Sequence, residues 1–233
     1  MDALLVVSRL TKAFNGVQLL HGVDFRVGAG EVLGLAGPNG TGKTTILNII
    51  CGLVRPDAGA VIFDGHDLTE MPAHRIAALG VGRTFQSPRP MRELTVFENV
   101  VLAVAARRGI LRGRDRARAR DLLDRVGLGD RERWPAGRLS SGALRRLEVA
   151  RALATCPRLL LLDEPFAALS IKEERELMGL LKGISAQGVA MILVSHRRRI
   201  LRQLAHRVLI TTAEGTYREG TPGELLADGG LEV

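Results

Sequence analysis

A glycine-rich stretch of nine residues, GPNGTGKTT, constrains this chain more than any other part of its sequence. It runs from Gly37 to Thr45, at the end of the apolar run VLGLAG. Residues Thr44 to Gly52 are predicted to form a helix, because Ile46, Ile49 and Ile50 have helical spacing. The spacing G-x-x-x-x-G-K-[ST] between a strand and a helix is typical of a loop whose main-chain amides surround phosphate groups. We therefore predict a phosphate-binding loop at the end of a buried strand.

Each part of this loop has a physical reason. Glycine lets the backbone turn tightly enough for consecutive N–H groups to point inward, and the helix that follows adds its positive end. Lys43 is expected to reach the β- and γ-phosphates of a nucleotide, and the hydroxyl of Thr44 is expected to bind Mg²⁺. The predicted nucleotide-binding residues of the loop are Gly37, Pro38, Asn39, Gly40, Thr41, Gly42, Lys43, Thr44 and Thr45.

A second apolar run, LLLLDEP, supplies acidic residues for the same site. Four consecutive leucines before Asp163 predict a strand that is buried on both faces. Asp163 then lies at the carboxyl end of that strand, where open α/β sheets bind ligands, and is expected to hold Mg²⁺, partly through water. Glu164 is the candidate residue that orients and polarises an attacking water molecule.

The order of apolar runs predicts an α/β fold. The first third reads as strands around one helix, and the last third alternates strands with helices, which favours a parallel sheet with crossover connections. The middle third has helical periodicity. One helix is expected to start at a capping box of Thr95 and Glu98 and to stop at Gly109, and another is expected to stop at Gly127. A helical segment is therefore expected inside the α/β core.

The segment LSSGALRRLEVARAL, Leu139–Leu153, discriminates among families that share the first two motifs. Together with GPNGTGKTT and LLLLDEP, it makes the chain resemble the ATP-binding subunits of ABC transporters over nearly its whole length. The resemblance implies an α/β P-loop NTPase fold with a RecA-like core, a parallel sheet, an N-terminal antiparallel β subdomain and an inserted α-helical subdomain. It also implies one ATPase domain over residues 1–233, with residues 1–86 and 140–233 as the core and residues 87–139 as the helical subdomain.

The resemblance assigns roles to residues outside the first two motifs. Ser140, Ser141 and Gly142 match the family's signature, which contacts the nucleotide of a second subunit. Ser140 and Gly142 are expected to precede a helix, and the helix N-terminus and the serine hydroxyl could receive an anion on physical grounds alone. Three further matches are the aromatic residue that stacks on adenine, the glutamine that contacts Mg²⁺ and water, and the switch histidine that contacts the γ-phosphate: Phe14, Gln86 and His196. The implied catalytic set is Glu164, His196 and Gln86, the implied metal set is Thr44, Gln86 and Asp163, and the implied cofactors are ATP and Mg²⁺.

Residues 71–100, MPAHRIAALGVGRTFQSPRPMRELTVFENV, resemble the ATPases of branched-chain amino-acid importers, and REGTPGELLAD resembles their ending. Importers for urea and other amides share much of this pattern. The implied partners are a second ATP-binding subunit, identical or different, arranged head to tail, and two transmembrane permease subunits. A periplasmic substrate-binding protein would act indirectly. The implied location is the cytoplasmic face of the bacterial inner membrane.

Two features of the sequence itself agree with that location. No apolar run approaches the ~20 residues of a membrane span, and the N-terminus lacks the features of a signal peptide, so membrane association is expected to occur by docking. The chain has only two cysteines, Cys51 and Cys156, which are far apart in sequence. They predict no disulfide framework and favour a reducing compartment.

The chain departs from the family pattern at several positions. Ala143 and Leu144 stand where the family usually has glutamines, and Ser170 stands where it usually has Asp or Asn. Ser195 and Arg197 flank the switch histidine where relatives of this type usually carry acids. Phosphate contacts of the signature should come mainly from its serine hydroxyl and from backbone N–H groups. Losing one side-chain hydrogen bond costs about 1–3 kcal/mol at most, so we expect a weakened signature rather than a lost one.

Two other functions stay open at this stage. A net charge of +8 is compatible with an ABC ATPase that acts on nucleic acid or the ribosome. Against it, the sequence shows neither a second cassette nor a long coiled-coil insert, and the basic runs Ala106–Arg120 and His196–Gln203 are typical of solvated helix faces, so no nucleic-acid partner is expected. A subunit that binds nucleotide without hydrolysing it is favoured by Ala143 and Ser170. The intact acidic pair and switch histidine argue against that alternative.

Overall fold

This computed structural model describes residues 3–106, 113–212 and 217–226. The strands in these residues form two β-sheets. In chain order the strands are β1 (Leu5–Phe14), β2 (Val17–Val27), β3 (Val32–Ala36), β4 (Ala58–Phe63), β5 (His66–Asp67), β6 (Val81–Arg83), β7 (Leu159–Asp163), β8 (Ala190–Val194), β9 (Arg207–Thr211) and β10 (Tyr217–Gly220).

The strand order separates an antiparallel sheet from a largely parallel one. The first sheet has the order β2-β1-β4-β5 and is antiparallel throughout. The second has the order β10-β9-β3-β8-β7-β6, and each of its pairs is parallel except the edge pair of β10 with β9. This arrangement confirms the predicted α/β class with an N-terminal antiparallel sheet.

Several helices connect parallel strands of the second sheet. In chain order the helices are α1 (Lys43–Ile50), α2 (Ala73–Leu79), α3 (Val96–Ala106), α4 (Gly113–Arg125), α5 (Ser141–Leu153), α6 (Ile171–Ala186), α7 (Arg198–Leu204) and α8 (Pro222–Leu225). Helices α3 to α7 are the connecting ones, and α1, α2 and α8 lie elsewhere in the chain. Two 3-10 turns, Gly129–Arg131 and Ala136–Arg138, lie between α4 and α5. Helices α3 and α4 fall between β6 and β7 in the chain and pack against each other and against α5.

Strand β7 shows how the two faces of the second sheet are buried. Leu159 and Leu161 pack with α1 and the antiparallel sheet, whereas Leu160 and Leu162 pack with residues of α3 to α7. Successive side chains of a strand point to opposite faces, so a strand covered on both sides is apolar at every position. The predicted strand buried on both faces is confirmed.

The predicted helix ends are confirmed where the structure describes them. The Glu98 carboxylate accepts hydrogen bonds from the N–H and the hydroxyl of Thr95, and the Glu98 N–H donates back to Thr95 Oγ1 at 3.1 Å. After α4, Gly127 has a φ of +66° and donates its N–H to the Asp124 carbonyl at 3.0 Å, as a helix C-cap requires. The predicted stop at Gly109, like residues 107–112 of the first basic run, lies outside the described residues.

Some elements differ from the sequence prediction. Helix α1 begins at Lys43 and ends at Ile50 rather than spanning Thr44–Gly52, because Gly52 has left-handed backbone geometry with a φ of +73°. Gly142 lies in the first turn of α5 rather than before the helix. Strands β5, β6 and β10 and helices α2 and α8 were not predicted, and each has seven residues or fewer. Within the described residues, no helix combines the length and the apolar character that crossing a membrane requires.

Candidate active site

The predicted phosphate-binding loop connects β3 to α1. Gly37 has a φ of +131°, and a Cβ there would collide with the carbonyl and hydroxyl oxygens of Thr211. Gly42 has a φ of +90° and is the N-cap of α1, and a Cβ there would lie 2.5 Å from Leu20 Cδ2. The tight backbone of this loop therefore depends on glycine at both ends.

Lys43 lies within the curve of the loop. Its ammonium group donates hydrogen bonds to the carbonyl oxygens of Gly37, at 2.7 Å, and Pro38. The residue is only 7% exposed, and this burial lowers the pKa of the ammonium group, while attraction to the carboxylates of Glu164 and Asp163 opposes that shift. A cation is thus held where a phosphate chain would meet the loop.

Asp163 lies at the carboxyl end of β7 and faces the first turn of α1. Its Oδ1 accepts a hydrogen bond from Thr44 Oγ1 at 3.2 Å, and its Oδ2 lies 3.5 Å from a guanidinium nitrogen of Arg83. The side chain is 2% exposed. Burial raises the pKa of the Asp163 carboxyl, and Arg83 and Thr44 act in the opposite direction. The carboxylate and the threonine hydroxyl form an adjacent pair of oxygen donors, which suits a hard cation.

Glu164 and His196 contact each other beside this pair. Glu164 adopts a φ of +47°, unusual for a residue with a side chain, and its N–H donates to the Val194 carbonyl. Its Oε1 accepts the His196 N–H at 3.1 Å, and its Oε2 lies 3.1 Å from His196 Nδ1. The imidazole is 58% exposed, so it is free to meet a ligand from the solvent side.

A cavity of about 420 Å³ brings most of the predicted residues together. The predicted residues that line it are Asn39, Gly40, Gly42, Lys43, Thr44, Thr45, Gln86, Asp163, Glu164 and His196. Gly37, Pro38 and Thr41 belong to the same loop but do not line the cavity. The cavity therefore combines main-chain amides, a cation, a carboxylate–hydroxyl pair and a carboxylate–imidazole pair.

Two of the predicted site residues lie on exposed parts of the chain. Gln86 lies on an exposed segment after β6, and its carbonyl oxygen accepts a hydrogen bond from the Arg145 guanidinium, which ties this segment to α5. Phe14 ends β1, is 45% exposed and has the Lys12 ammonium 5.3 Å from its ring centroid. It does not line the cavity. An exposed ring at the end of a strand can still accept a flat ligand from solvent.

The signature residues Ser140, Ser141 and Gly142 lie at the start of α5, away from this cavity. Ser140 is the N-cap of the helix, and its Oγ accepts the Ala143 N–H at 3.3 Å. Its hydroxyl also donates to Glu173 Oε1 at 3.0 Å, and the Gly142 N–H donates to the same oxygen at 3.1 Å. The two donors of the predicted anion site therefore contact an anion of the chain itself.

Three contacts made by the predicted site residues were not expected from the sequence. Arg83 pairs with Asp163, Arg145 binds the segment that carries Gln86, and Glu173 contacts the signature. Nothing in the spacing of the two arginines indicates these contacts. Glu173 follows Ser170 by three residues, and that capping-box spacing was a usable signal for its place in α6, though not for its contact with Ser140.

The fold and the cavity define a class of protein: an α/β nucleotide-binding protein with a phosphate-binding loop. Residues 20–167, more than half of the chain, match the family model described as ABC transporter. The chain belongs to the ABC transporter family, as an ATP-binding subunit, and it is an ATPase.

Curated relatives span several transport systems. The chain is 33% identical to the high-affinity branched-chain amino acid transport ATP-binding protein BraF of Pseudomonas aeruginosa, over 95% of this chain and 93% of that protein. It is 39% identical to the sulfate/thiosulfate import ATP-binding protein CysA of Rhodopseudomonas palustris, over 94% of this chain and 63% of that protein. It is 31% identical to the lipopolysaccharide export system ATP-binding protein LptB of Haemophilus influenzae, over 97% and 94%.

Solved structures of ATP-binding cassettes share the fold. The ADP conformation of MJ1267, an ATP-binding cassette of an ABC transporter, has a TM-score of 0.88 and 27% identity, covering 98% of this chain and 96% of that one. A dimeric post-hydrolysis state of the cassette MJ0796, bound to ADP and Pi, has a TM-score of 0.82 and 28% identity, covering 94% and 98%. The predicted RecA-like core agrees with these neighbours.

Proposed function

We propose that this chain supplies ATP-driven motion to an importer of branched-chain or related amino acids. The single observation that supports the motor function best is the Glu164–His196 pair beside Lys43 and Asp163 in one cavity. The amino-acid substrate is supported by two observations that do not depend on that cavity. These are the resemblance of residues 71–100 to such importers and the presence of BraF among the relatives that match nearly the whole chain.

The loop and its lysine would bind the phosphate chain of ATP. The inward N–H groups and the start of α1 favour negative charge, and Lys43 would exchange its carbonyl partners for phosphate oxygens. Phe14 would stack on the adenine. Thr44, Asp163 and Gln86 would hold Mg²⁺, and the Thr44–Asp163 pair has the oxygen donors that this ion prefers. When bound, Mg²⁺ neutralises charge on the phosphates.

Glu164 would act on the water that attacks the γ-phosphate. Its carboxylate is held by the His196 backbone N–H, so it has a fixed orientation at the edge of the cavity. His196 would contact the γ-phosphate. Phosphoryl transfer depends mainly on positioning and charge stabilisation, so fixed groups of this kind account for the reaction without a covalent intermediate.

A second ATP-binding subunit would complete each site. In a head-to-tail pair, the signature of one subunit, with Ser140, Ser141 and Gly142, would face the nucleotide bound by the other. The likeness to a cassette solved as a dimer with ADP and Pi supports this arrangement. Closure of such a pair on ATP is a binding-driven rearrangement of the kind that moves domains in many proteins.

Residues 87–139 would form the helical subdomain, with residues 1–86 and 140–233 as the core. Between them lies a second cavity of about 340 Å³, lined among others by Ile76, Phe85, Ala103 and Arg151. It would receive a cytoplasmic helix of a permease subunit, and Gln86 lies on the segment that joins it to the nucleotide site. With two permease subunits and a periplasmic binding protein, the chain would work at the cytoplasmic face of the bacterial inner membrane.

Two variants test the motor function. Glu164→Gln should retain ATP binding and lose hydrolysis by roughly 10²- to 10⁴-fold, because a general base has been neutralised. Lys43→Ala should instead weaken ATP binding by roughly 10- to 100-fold, because a charge-assisted contact with phosphate is lost. Fluorescent-nucleotide titration and phosphate release separate the two effects. Full hydrolysis by Glu164→Gln would remove Glu164 from its role.

Uptake tests the substrate. A strain lacking this gene should lose uptake of labelled leucine, and the wild-type gene but not the Glu164→Gln variant should restore it. Unchanged leucine uptake with lost uptake of another solute would keep the motor function and reject the amino-acid assignment.

A further inference from the structure

The carboxylate of Glu173 lies on the signature of its own chain. Oε1 accepts hydrogen bonds from the Ser140 hydroxyl at 3.0 Å and from the Gly142 N–H at 3.1 Å. A Cβ at position 142 would lie 2.5 Å from the carboxyl carbon of Glu173, so only glycine lets the carboxylate come this close. The contact joins the start of α5 to the first turn of α6 across 33 residues of sequence.

The other carboxylate oxygen anchors the same side chain to α6. Oε2 accepts hydrogen bonds from the Ser170 N–H at 3.1 Å and the Ser170 hydroxyl at 2.8 Å, and the Glu173 N–H donates to Ser170 Oγ. One carboxylate therefore accepts four hydrogen bonds. These bonds, those from Ser170 first, lower the pKa of Glu173, so the group is ionised when it contacts the signature.

The signature donors that Glu173 uses are those proposed above for a phosphate group. The Ser140 hydroxyl has one proton and the Gly142 amide has one, so neither can serve the carboxylate and a phosphate oxygen fully at once. Two anions at the same helix start also repel each other. The Oε1 contacts are not part of the backbone hydrogen bonding of α6, so breaking them does not require the helix to unwind.

We propose that Glu173 is a positioning residue that occupies the anion position of the signature in the open subunit and must be displaced by the nucleotide of a facing subunit. The proposal rests on the function proposed above, since it requires a facing subunit whose nucleotide meets this signature. Its consequence is a threshold: ATP binds to the loop of each subunit independently of Glu173, whereas closure of the pair needs more ATP than it would without this contact.

The test measures these two steps separately. In a Glu164→Gln background, which prevents turnover, the added change Glu173→Gln removes the charge and keeps a side chain that can still complete the capping box. Glu176→Gln is the matched control, because Glu176 lies on the same helix and pairs with Arg146 rather than with the signature. The readouts are fluorescent-nucleotide affinity of the monomer and the MgATP concentration that gives half-maximal dimer by light scattering.

Glu173→Gln should lower that MgATP concentration by roughly three- to tenfold, since two charge-assisted hydrogen bonds no longer oppose closure. Monomer affinity should not change, and Glu176→Gln should change neither quantity. Unchanged dimerisation in Glu173→Gln, or no dimer in any variant, overturns the threshold while leaving monomer binding as support for the proposed function. Absence of nucleotide binding to every monomer would instead reject the proposed function.

Hydrogen exchange gives an independent measurement on the monomer. The Gly142 amide should be protected in the wild-type chain and should exchange several-fold faster in Glu173→Gln, while amides later in α5 exchange at unchanged rates. Equal exchange of Gly142 in both chains would show that the carboxylate does not hold this amide in solution and would overturn the proposal without any need for a dimer.

Discussion

Arg197 and Arg199 share one buried carboxylate, that of Glu174. Glu174 is 4% exposed, its Oε2 accepts a hydrogen bond from Arg197 at 2.6 Å, and its Oε1 accepts one from Arg199. Arg197 stands where importers of the resembled type usually carry an acid. In this chain that position is basic because it satisfies a carboxylate that α6 buries, and the contact holds the segment after His196 against α6.

Glu148 is a buried acid outside the nucleotide cavity. It lies on α5 and is 5% exposed, its Oε1 accepts the Arg89 N–H at 3.0 Å, and its Oε2 lies 4.0 Å from an Arg145 nitrogen. Burial raises the pKa of the Glu148 carboxyl, and hydrogen bonding and nearby arginines only partly oppose this. The folded chain therefore holds this proton to a higher pH than the unfolded chain does.

Glu148→Gln should become progressively more stable than the wild type as the pH rises. A raised native pKa gives stability that is fully present below the unfolded pKa, about 4.5, and is lost as the pH rises through the native value. The amide does not ionise, so the difference in unfolding free energy should grow above pH 4.5, by at most about 1.4 kcal/mol per pH unit. Urea unfolding from pH 4 to pH 8 measures it. A difference independent of pH would contradict the prediction.

At the scale of elements, β3 depends on a close approach to α7. Gly34 lies in the middle of β3, and a Cβ there would meet Leu201 Cδ2 at 2.8 Å, Ala205 Cβ at 3.3 Å and Val208 Cγ2 at 3.4 Å. Because Leu201 is itself buried, the side chain has little room to move away. The missing side chain brings the sheet and the helix together behind the phosphate-binding loop.

Gly34→Ala should destabilise the fold by about 1–3 kcal/mol through overpacking. Gly179→Ala is the matched control, because Gly179 lies within α6 and nothing would contact its Cβ within 4 Å. That change should stabilise the chain by about 0.5–1 kcal/mol, since alanine favours a helix. Guanidinium unfolding of both variants should give opposite signs. Equal signs would contradict the packing argument.

The elements that were predicted are those with a local signal. The Gly37–Thr45 loop, the four leucines of β7 and the capping box at Thr95 are each readable from neighbouring residues. Helix α2 had usable signals in Pro72 at its start and Gly80 at its end. Strand β6 has three residues and becomes a strand because β7 pairs with it, a contact that no local pattern indicates.

The same distinction applies to the site. Lys43, Thr44 and Asp163 follow from motifs whose spacing is local. Arg83 lies 80 residues before the carboxylate it contacts, and only the parallel pairing of β6 with β7 brings the two together. The contact of Glu173 with the signature likewise depends on how α5 and α6 pack, which the sequence alone does not give.

At the scale of the whole molecule, the changed signature predicts an unequal pair. Ala143 is fully buried and Leu144 packs against the core, so neither side chain offers a hydrogen bond to a facing nucleotide. Paired with a second, different ATPase, this chain would contribute the weaker signature. Its own homodimer would then contain two weak sites.

ATP turnover should therefore be low for the purified chain and at least severalfold higher when it is paired with a second, different ATPase of the same transporter. Loss of one signature hydrogen bond, about 1–3 kcal/mol, corresponds to roughly 5- to 150-fold in rate. Steady-state phosphate release per cassette measures the difference. Equally vigorous turnover in both preparations would argue against an unequal pair.

Because leucines fill both faces of β7, its hydrophobic pattern does not fix the register in which it pairs with neighbouring strands. In a strand with one polar face, a register shift of one residue exposes apolar side chains to water and is unfavourable. In β7 the same shift would replace one buried leucine with another. The register is instead fixed at the two ends of the strand. There Arg158 donates its N–H to the Gly80 carbonyl at 2.8 Å, and Glu164 donates its N–H to the Val194 carbonyl at 3.1 Å. The main-chain bond of Glu164, the residue next to Asp163, therefore also helps to set the alignment in which the central sheet assembles.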